Sequence, residues 1–164
     1  MHQERGYSLI EMLLSLAIIG VVSAISVPVF LESSKRNNVW TASERLAAVI
    51  RQTRLKAISQ NQTYRVRFDC PAANQVRSLI LTGVAATDDA VNRCAQTITG
   101  DGEVIEMPTG VAFDPEDATE LRVTPRGVFT AVGDSIPLTI SVTYGSSTRT
   151  LAVSATGQIT FAGY

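Results

Sequence analysis

Gly6-Tyr7-Ser8-Leu9-Ile10-Glu11 opens the stretch that decides the fold, and Met12-Leu13-Leu14-Ser15-Leu16-Ala17-Ile18-Ile19-Gly20-Val21-Val22-Ser23-Ala24-Ile25-Ser26-Val27-Pro28-Val29-Phe30 completes it. From Tyr7 to Phe30 the single group charged at neutral pH is Glu11, and the run is long enough for a helix to cross a hydrocarbon core about 30 Å thick. An ordinary secretory signal carries its apolar region before the cleavage site and loses it on maturation. Here a short polar leader, residues 1–6, comes first. A cut after Gly6 would make Tyr7 the new N-terminus of a helix still in the bilayer, with residues 7–30 as its transmembrane segment. A bland membrane anchor explains that much but not Glu11, because a carboxylate at the centre of such a segment costs up to about 3 kcal/mol and marks a functional pairing. Glu11 needs a positive partner.

Gly6 to Glu11 resemble the processing motif of the type IV pilin and type II secretion pseudopilin family: Gly, an aromatic, Ser or Thr, Leu, an apolar residue, then Glu, matched at every position. The resemblance implies that a prepilin peptidase cuts after Gly6 and methylates the Tyr7 amine. It also implies that Glu11 pairs with the N-terminal amine of a neighbouring subunit and sets its axial register. Pro28 falls where many members carry a helix-kinking proline. Proline is tolerated in a membrane helix when water or neighbours satisfy the freed carbonyl; in a filament it would let the helix stretch as subunits pack. The partners implied are other pilin or pseudopilin subunits, the peptidase, an inner-membrane assembly platform and the inner membrane itself. No cofactor is called for.

The charge rule compares Glu4 and Arg5 with Lys35 and Arg36, and alone it would not put the N-terminus inside. The leader and the cysteines decide instead for a cytoplasmic N-terminus, a single membrane pass and a periplasmic head that later enters a pilus or pseudopilus. Cys70 and Cys94 are an even pair in a domain that would be exported, which favours a disulfide. Closing that loop would contribute roughly 3 to 4 kcal/mol. The rival reading is two free buried thiols.

The length of 164 residues allows one domain beyond the anchor, and 45% hydrophobic residues with a net charge of -1 fit a globular fold. After Phe30 the pattern turns amphipathic: Val39, Ser43, Leu46, Ala47, Ile50, Thr53 and Ala57 share one stripe at helical spacing. The spacing predicts a helix from Tyr7 to about Ser59, on the order of 80 Å long, with residues 31–60 as its amphipathic half. Leu55 lies off the stripe and reads as either an exposed apolar residue, the favoured alternative, or a contact to another subunit. Thr63 to Phe68 alternates, with Tyr64, Val66 and Phe68 on one face and Arg65 and Arg67 on the other, as in a half-buried strand. Further strands are expected at Ser78–Val84, Glu103–Met107, Glu120–Thr124, Gly127–Ala131, Ile136–Tyr144, Thr148–Ser154 and Gln158–Phe161. The fold class is α+β: a long N-terminal helix packed against a β-rich, antiparallel head, residues 61–164.

The layout is similar to minor subunits of the GspH/FimT type. The residues that carry the likeness run from Leu46 to Ile58, leading into Asn61 and the Tyr64 strand, with the late turns Pro125-Arg126-Gly127 and Thr156-Gly157-Gln158-Ile159. Major pilins and pseudopilins usually have a smaller or differently arranged head, so this likeness implies a low-abundance subunit.

Catalysis finds little to use. The one histidine, His2, lies in the leader, which leaves no imidazole for a nucleophilic triad or for zinc. Asp88, Asp89, Asp101, Glu103, Glu106, Asp114, Glu116, Asp117 and Glu120 match no calcium-loop spacing and read as solvated acidic loops. Lys35, Arg36, Arg45, Arg51, Arg54, Lys56, Arg65, Arg67 and Arg77 crowd the helix and first strands while the middle of the chain is acidic, which suggests a dipolar molecule. Arg51, Arg54, Arg65 and Arg67 are candidates for docking a neighbour's acidic loops or, as the alternative, for DNA phosphates during natural transformation. The acidic pI weakens the DNA reading. So does the tail Gly157 to Tyr164, which lacks the arginine of the FimT-type proteins that bind DNA.

Overall fold

The computed structural model describes residues 8–114, 120–132 and 135–163. Helix α1 runs Leu9–Gln60, close to the expected span. The chain divides into two compact units, Met1–Lys35 and Arg36–Tyr164.

In the first unit the helix is apolar on every side, with Leu9, Ile10, Leu13, Ile18, Val22, Ile25 and Phe30 all more than half exposed. Two of its hydroxyls fold back on the backbone: Ser15 Oγ donates to the Glu11 carbonyl and Ser26 Oγ to the Val22 carbonyl, each at 2.8 Å. That satisfies them without water, as a bilayer requires. Pro28 sits inside the helix and removes the donor that the Ala24 carbonyl would otherwise receive.

In the second unit α1 buries Val39, Ala42, Ser43, Leu46, Ala47, Val49, Ile50, Thr53 and Ala57. Every position of the expected stripe is among them. Leu55 is 68% exposed, as its place off the stripe predicts. The helix stops at Asn61, which takes a left-handed φ of 52°, while Gln62 N donates back to the Ala57 carbonyl at 3.1 Å. Asparagine tolerates that conformation better than most residues and so closes the last turn.

The head holds two antiparallel sheets. One has the order β3-β2-β1-β5-β6, the other β4-β7-β8-β9. The strands are β1 Tyr64–Phe68, β2 Gln75–Ile80, β3 Val104–Glu106, β4 Ala112–Asp114, β5 Glu120–Val123, β6 Phe129–Val132, β7 Leu138–Tyr144, β8 Ser147–Val153 and β9 Ile159–Ala162, with a short helix α2 at Ala85–Asp88. The helix stripe shares one core with Tyr64, Val66, Phe68, Leu121 and Phe129 of the first sheet and Phe113, Leu138, Ile140, Val142 and Leu151 of the second. The central strands of the second sheet bury alternate residues, as period-two patterning demands.

Three expectations need correction. The strand expected at Ser78–Val84 is Gln75–Ile80, because Asp69 and Asn74 adopt positive φ and turn the chain while the Asp88 carboxylate pulls Thr82 and Gly83 out of the sheet. The strand expected from Gly127 begins at Phe129, since Gly127 N donates to the Thr124 carbonyl at 2.8 Å in a turn. The first strand is not half-buried: Arg65 is as buried as Tyr64. Strand β4 and helix α2 were unforeseen, being three and four residues long.

The two late turns are seated on the helix through Arg54, whose Nε donates to the Gly127 carbonyl at 3.0 Å. A Cβ at Gly157 would lie 2.9 Å from the Phe129 ring and 3.1 Å from Arg54 Cδ, and its φ is +80°. Gly83 has the same φ with nothing within 4 Å. Gly157→Ala therefore suffers both overpacking, about 1 to 3 kcal/mol, and left-handed strain of about 1 to 2 kcal/mol, whereas Gly83→Ala suffers only the strain. Denaturant unfolding of the detergent-solubilised chain should rank Gly157→Ala well below Gly83→Ala; equal losses would contradict this packing.

Candidate functional site: the Glu11 helix and the charged face of the head

Glu11 lies in the first turn of α1 with exposed Ile10, Met12 and Leu14 around it. Its backbone N–H donates to the Ser8 carbonyl at 3.0 Å. Among the described residues its carboxylate has no ion pair or hydrogen bond, so any partner must come from outside this part of the chain. A window of the helix has mean hydropathy 2.4 and none of it is buried. Water does not tolerate so much continuous hydrocarbon, whereas a bilayer or a bundle of like helices does. The unit can thus occupy a membrane and offer one unmatched negative charge within it. Gly6 and Tyr7 lie outside the described residues. Pro28 is well beyond Glu11 on the same helix.

The charged residues of the head do something different from what their sequence clustering suggests. Residues of β1 and β2 that face away from the helix point into the excursion Leu81–Glu103, and arginines anchor it there. Arg65 is fully buried; its Nη1 donates to Glu120 Oε1 at 2.8 Å and to Asp89 Oδ1 at 3.2 Å. Glu120 also pairs with Arg67 at 3.5 Å and with Arg122 at 3.0 Å. Arg77 donates to the carbonyls of Gly102, Cys94 and Gln96. Arg93, fully buried, makes a two-pronged contact with Asp101 at 2.7 and 2.8 Å. The pairing is incomplete: Arg65 Nε and Nη2 and Arg93 Nε are buried without a hydrogen-bond partner among the described residues, so these guanidinium groups depend on their few acidic partners. The Cys70–Cys94 disulfide ties the excursion to the end of β1, as the even pair suggested, and the free-thiol reading falls.

These contacts correct the candidate role of Arg65. Arg65 cannot reach an outside phosphate or a neighbour, because its side chain has no exposure. Arg54 is committed to Gly127 and Arg67 leans on Glu120 with a side chain 29% exposed. Arg51 is exposed and has no ion pair among the described residues. The acidic loops are not uniformly solvated either: Asp88, Asp101 and Glu120 have buried side chains or nearly so, while Asp89, Glu103, Glu106 and Asp114 are exposed. Glu116 and Asp117 lie outside the described residues. Sequence reasoning missed the pairing because Arg65 and Glu120 stand far apart in the chain. The one available signal was alternation itself, since an arginine on the sheet's second face needs a cover or water.

Burial pushes the Asp101 carboxyl up, but donation from the Arg93 side chain and from the Ile98 and Ile80 amides outweighs it and holds the group below the ordinary aspartate value. Asp88 follows the same logic: burial raises it, and the Thr82 and Gly83 donors more than reverse that. Tyr64 is pushed up chiefly by burial and secondarily by the Asp101 charge. Its hydroxyl is shared between the Gln60 side-chain oxygen and the Gly100 carbonyl, the latter at 2.9 Å.

A long apolar helix that runs on into a two-sheet head, with one carboxylate in its first turn, is the construction of a pilin-type subunit. Residues 1–27 match the prokaryotic N-terminal methylation motif, and residues 42–157 match the family described as type II transport protein GspH. The chain belongs to that family, whose members are structural minor pilin or pseudopilin subunits. The fold is similar to the type IV minor pilin FimU of Pseudomonas aeruginosa (strain PAO1) in one crystal form, with TM-score 0.53 and 15% identity over 79% of this chain and 91% of that one. A second crystal form of FimU gives TM-score 0.49, 15% identity, and 75% and 91% coverage. No curated protein matches the chain.

Since Asp101 and Asp88 are depressed in the fold, the stability they contribute is complete above the unfolded aspartate value of about 4 and is lost as pH falls through their lower folded values. Asp101→Asn leaves Arg93 buried without its counter-charge, a loss of about 3 to 5 kcal/mol at neutral pH. The expected result is a lower melting midpoint at pH 7 and a shallower decline on acidification; a variant with the parent's acid limb would contradict the assignment.

Proposed function

We propose that this minor subunit works in the tip or priming complex of a type IV pilus or a type II secretion pseudopilus, without catalysis of its own. In this reading a prepilin peptidase removes residues 1–6 and methylates the Tyr7 amine. The helix then spans the inner membrane once, with its N-terminus cytoplasmic and the head periplasmic, and an assembly platform passes it into the fibre. Glu11 pairs with the N-terminal amine of the next subunit, and Pro28 gives the helix the local slack that packing requires.

The observation that carries the reading is Glu11 itself: a single charge, without a partner among the described residues, on a helix otherwise clothed in exposed hydrocarbon. Uncompensated burial of that charge is costly, and a mobile protonated or methylated amine from a neighbour removes the cost only when the two subunits stand at one axial offset. Attraction thereby becomes register. The family's structural character supports the rest.

DNA capture is the weaker alternative, since of the four arginines considered for it only Arg51 stands exposed and free of a protein partner.

Glu11→Ala should give a processed, membrane-inserted protein that no longer co-purifies with other subunits; normal co-purification would sink the register role. Gly6→Ser should accumulate as uncut precursor, seen as an intact mass larger by the leader, because the peptidase must accommodate a side chain beside the scissile bond. Deleting the gene in its host separates the machines: loss of pili with secretion intact means a pilus subunit, the converse a pseudopilus subunit.

A further inference from the structure

We propose that the outer edge of strand β9 takes a second copy of this chain, whose own β9 adds to it antiparallel with the two Thr160 residues facing each other. The inference concerns the head alone and is independent of the role given to Glu11.

The direction of each backbone group on β9 follows from its ladder with β8. Ser154 N–H donates to the Gln158 carbonyl at 2.9 Å, and the same register sets Ala152 opposite Thr160 and Thr150 opposite Ala162. Antiparallel ladders alternate hydrogen-bonded and non-hydrogen-bonded pairs. The N–H and C=O groups of Thr160 and Ala162 therefore point at β8, and those of Ile159 and Phe161 point out of the sheet. The second sheet ends at β9, and among the described residues nothing donates to or accepts from those outward groups.

An open edge invites another strand, and proteins blunt it with charge, short length or cover. The other sheet edges are blunted. On β3 the Arg45 side chain donates to the Glu106 carbonyl at 3.0 Å, and the Glu103 and Glu106 side chains stand exposed beside it. On β6 the Phe129 N–H donates to the Ala155 carbonyl at 2.8 Å. Strand β4 is three residues long and carries exposed Asp114. Strand β9 has none of these devices: Thr150 to Tyr164 includes no charged side chain, and Thr160 and Ala162, its exposed residues, are small.

A partner for this edge must be extended, must match outward groups two residues apart, and must bring no charge where none answers it. Strand β9 itself meets all three demands. Turned antiparallel about Thr160, it sets Ile159 of each copy beside the partner's Phe161, so the outward N–H groups of one meet the outward carbonyls of the other. An aromatic residue beside a β-branched one is a favourable cross-strand pair. The two Thr160 residues then face each other without backbone bonds, their Cα atoms about 4.5 Å apart, and the two sheets become one. A contact one strand wide belongs with small, weak interfaces, so the pairing is reversible. It is also isologous and closes on itself, which makes it a form of the subunit outside a fibre.

A charge swap at Thr160 tests this. The full-length chain in detergent is followed by sedimentation velocity over a range of protein concentrations, with the melting midpoint as a check of the fold. The expected result is a concentration-dependent dimer. Thr160→Lys and Thr160→Glu, each placing like charges opposite each other at an exposed site, should each raise the dimer dissociation constant about ten-fold with the midpoint unchanged. Mixing the two variants should restore the dimer, and a carbodiimide should then join the two substituted side chains. A chain that stays monomeric at every concentration would overturn the proposal. So would a dimer indifferent to both substitutions, which the apolar segment would explain, or a mixture that fails to recover.

Discussion

Helix α1 shows hydrocarbon on all sides as far as Phe30 and a single apolar stripe from Val39 onward, and the two halves of the molecule follow from that change of pattern. Where the helix is apolar all round it can bury itself only in lipid or among similar helices. Where it is striped it needs a partner on one side, and the two sheets supply it through a common core. The helix therefore belongs to two environments at once. A subunit built this way can leave a membrane for a fibre without refolding its head, because the head's core draws on α1 only from Val39 onward.

Charge is treated oppositely in the two halves. In the head, Arg65 and Arg77, which sequence clustering would place on a basic surface, are drawn inward with Arg93, to acidic residues or a set of carbonyls, and the excursion Leu81–Glu103 is thereby clamped over the first sheet with the Cys70–Cys94 bond as a second fastening. Breaking one partner of such a pair is far more damaging than the pair is stabilising, so the network acts chiefly to hold one conformation. In the membrane half the single charge is left unanswered by the described residues. An unanswered charge in hydrocarbon is a demand for a partner, and in the reading proposed above another subunit supplies it.

The helix and its buried stripe were legible because 3.6-residue periodicity is a local property that packing only has to accept; Leu46, Ile50 and Ala57 announce their face without help from any distant residue. The long strand from Leu138 to Tyr144 was legible for the same reason at period two. What escaped was non-local or very short. Arg65 looked like a solvent-facing arginine because nothing near it in sequence reveals Glu120 or the covering excursion, and Asp101 looked like a loop carboxylate because Arg93 meets it only once the excursion has folded. The displaced edges of β2 and β6 trace to Asp88 and Gly127, single residues whose hydrogen bonds or positive φ end a strand that apolar content alone would extend. Glu11 stands out without any structure, since it is one carboxylate in an apolar run; its role is the part left to proposal.

The central claim is that Glu11 meets the amine of a neighbouring subunit, and a zero-length cross-link tests it most directly. Assembled fibres or membrane complexes treated with a lipid-soluble carbodiimide, which joins a carboxylate to an amine only when they touch, should yield a peptide linking Glu11 to another subunit's mature N-terminus. Recovery of Glu11 only as the reagent adduct, with the neighbouring N-termini unmodified, would contradict the account.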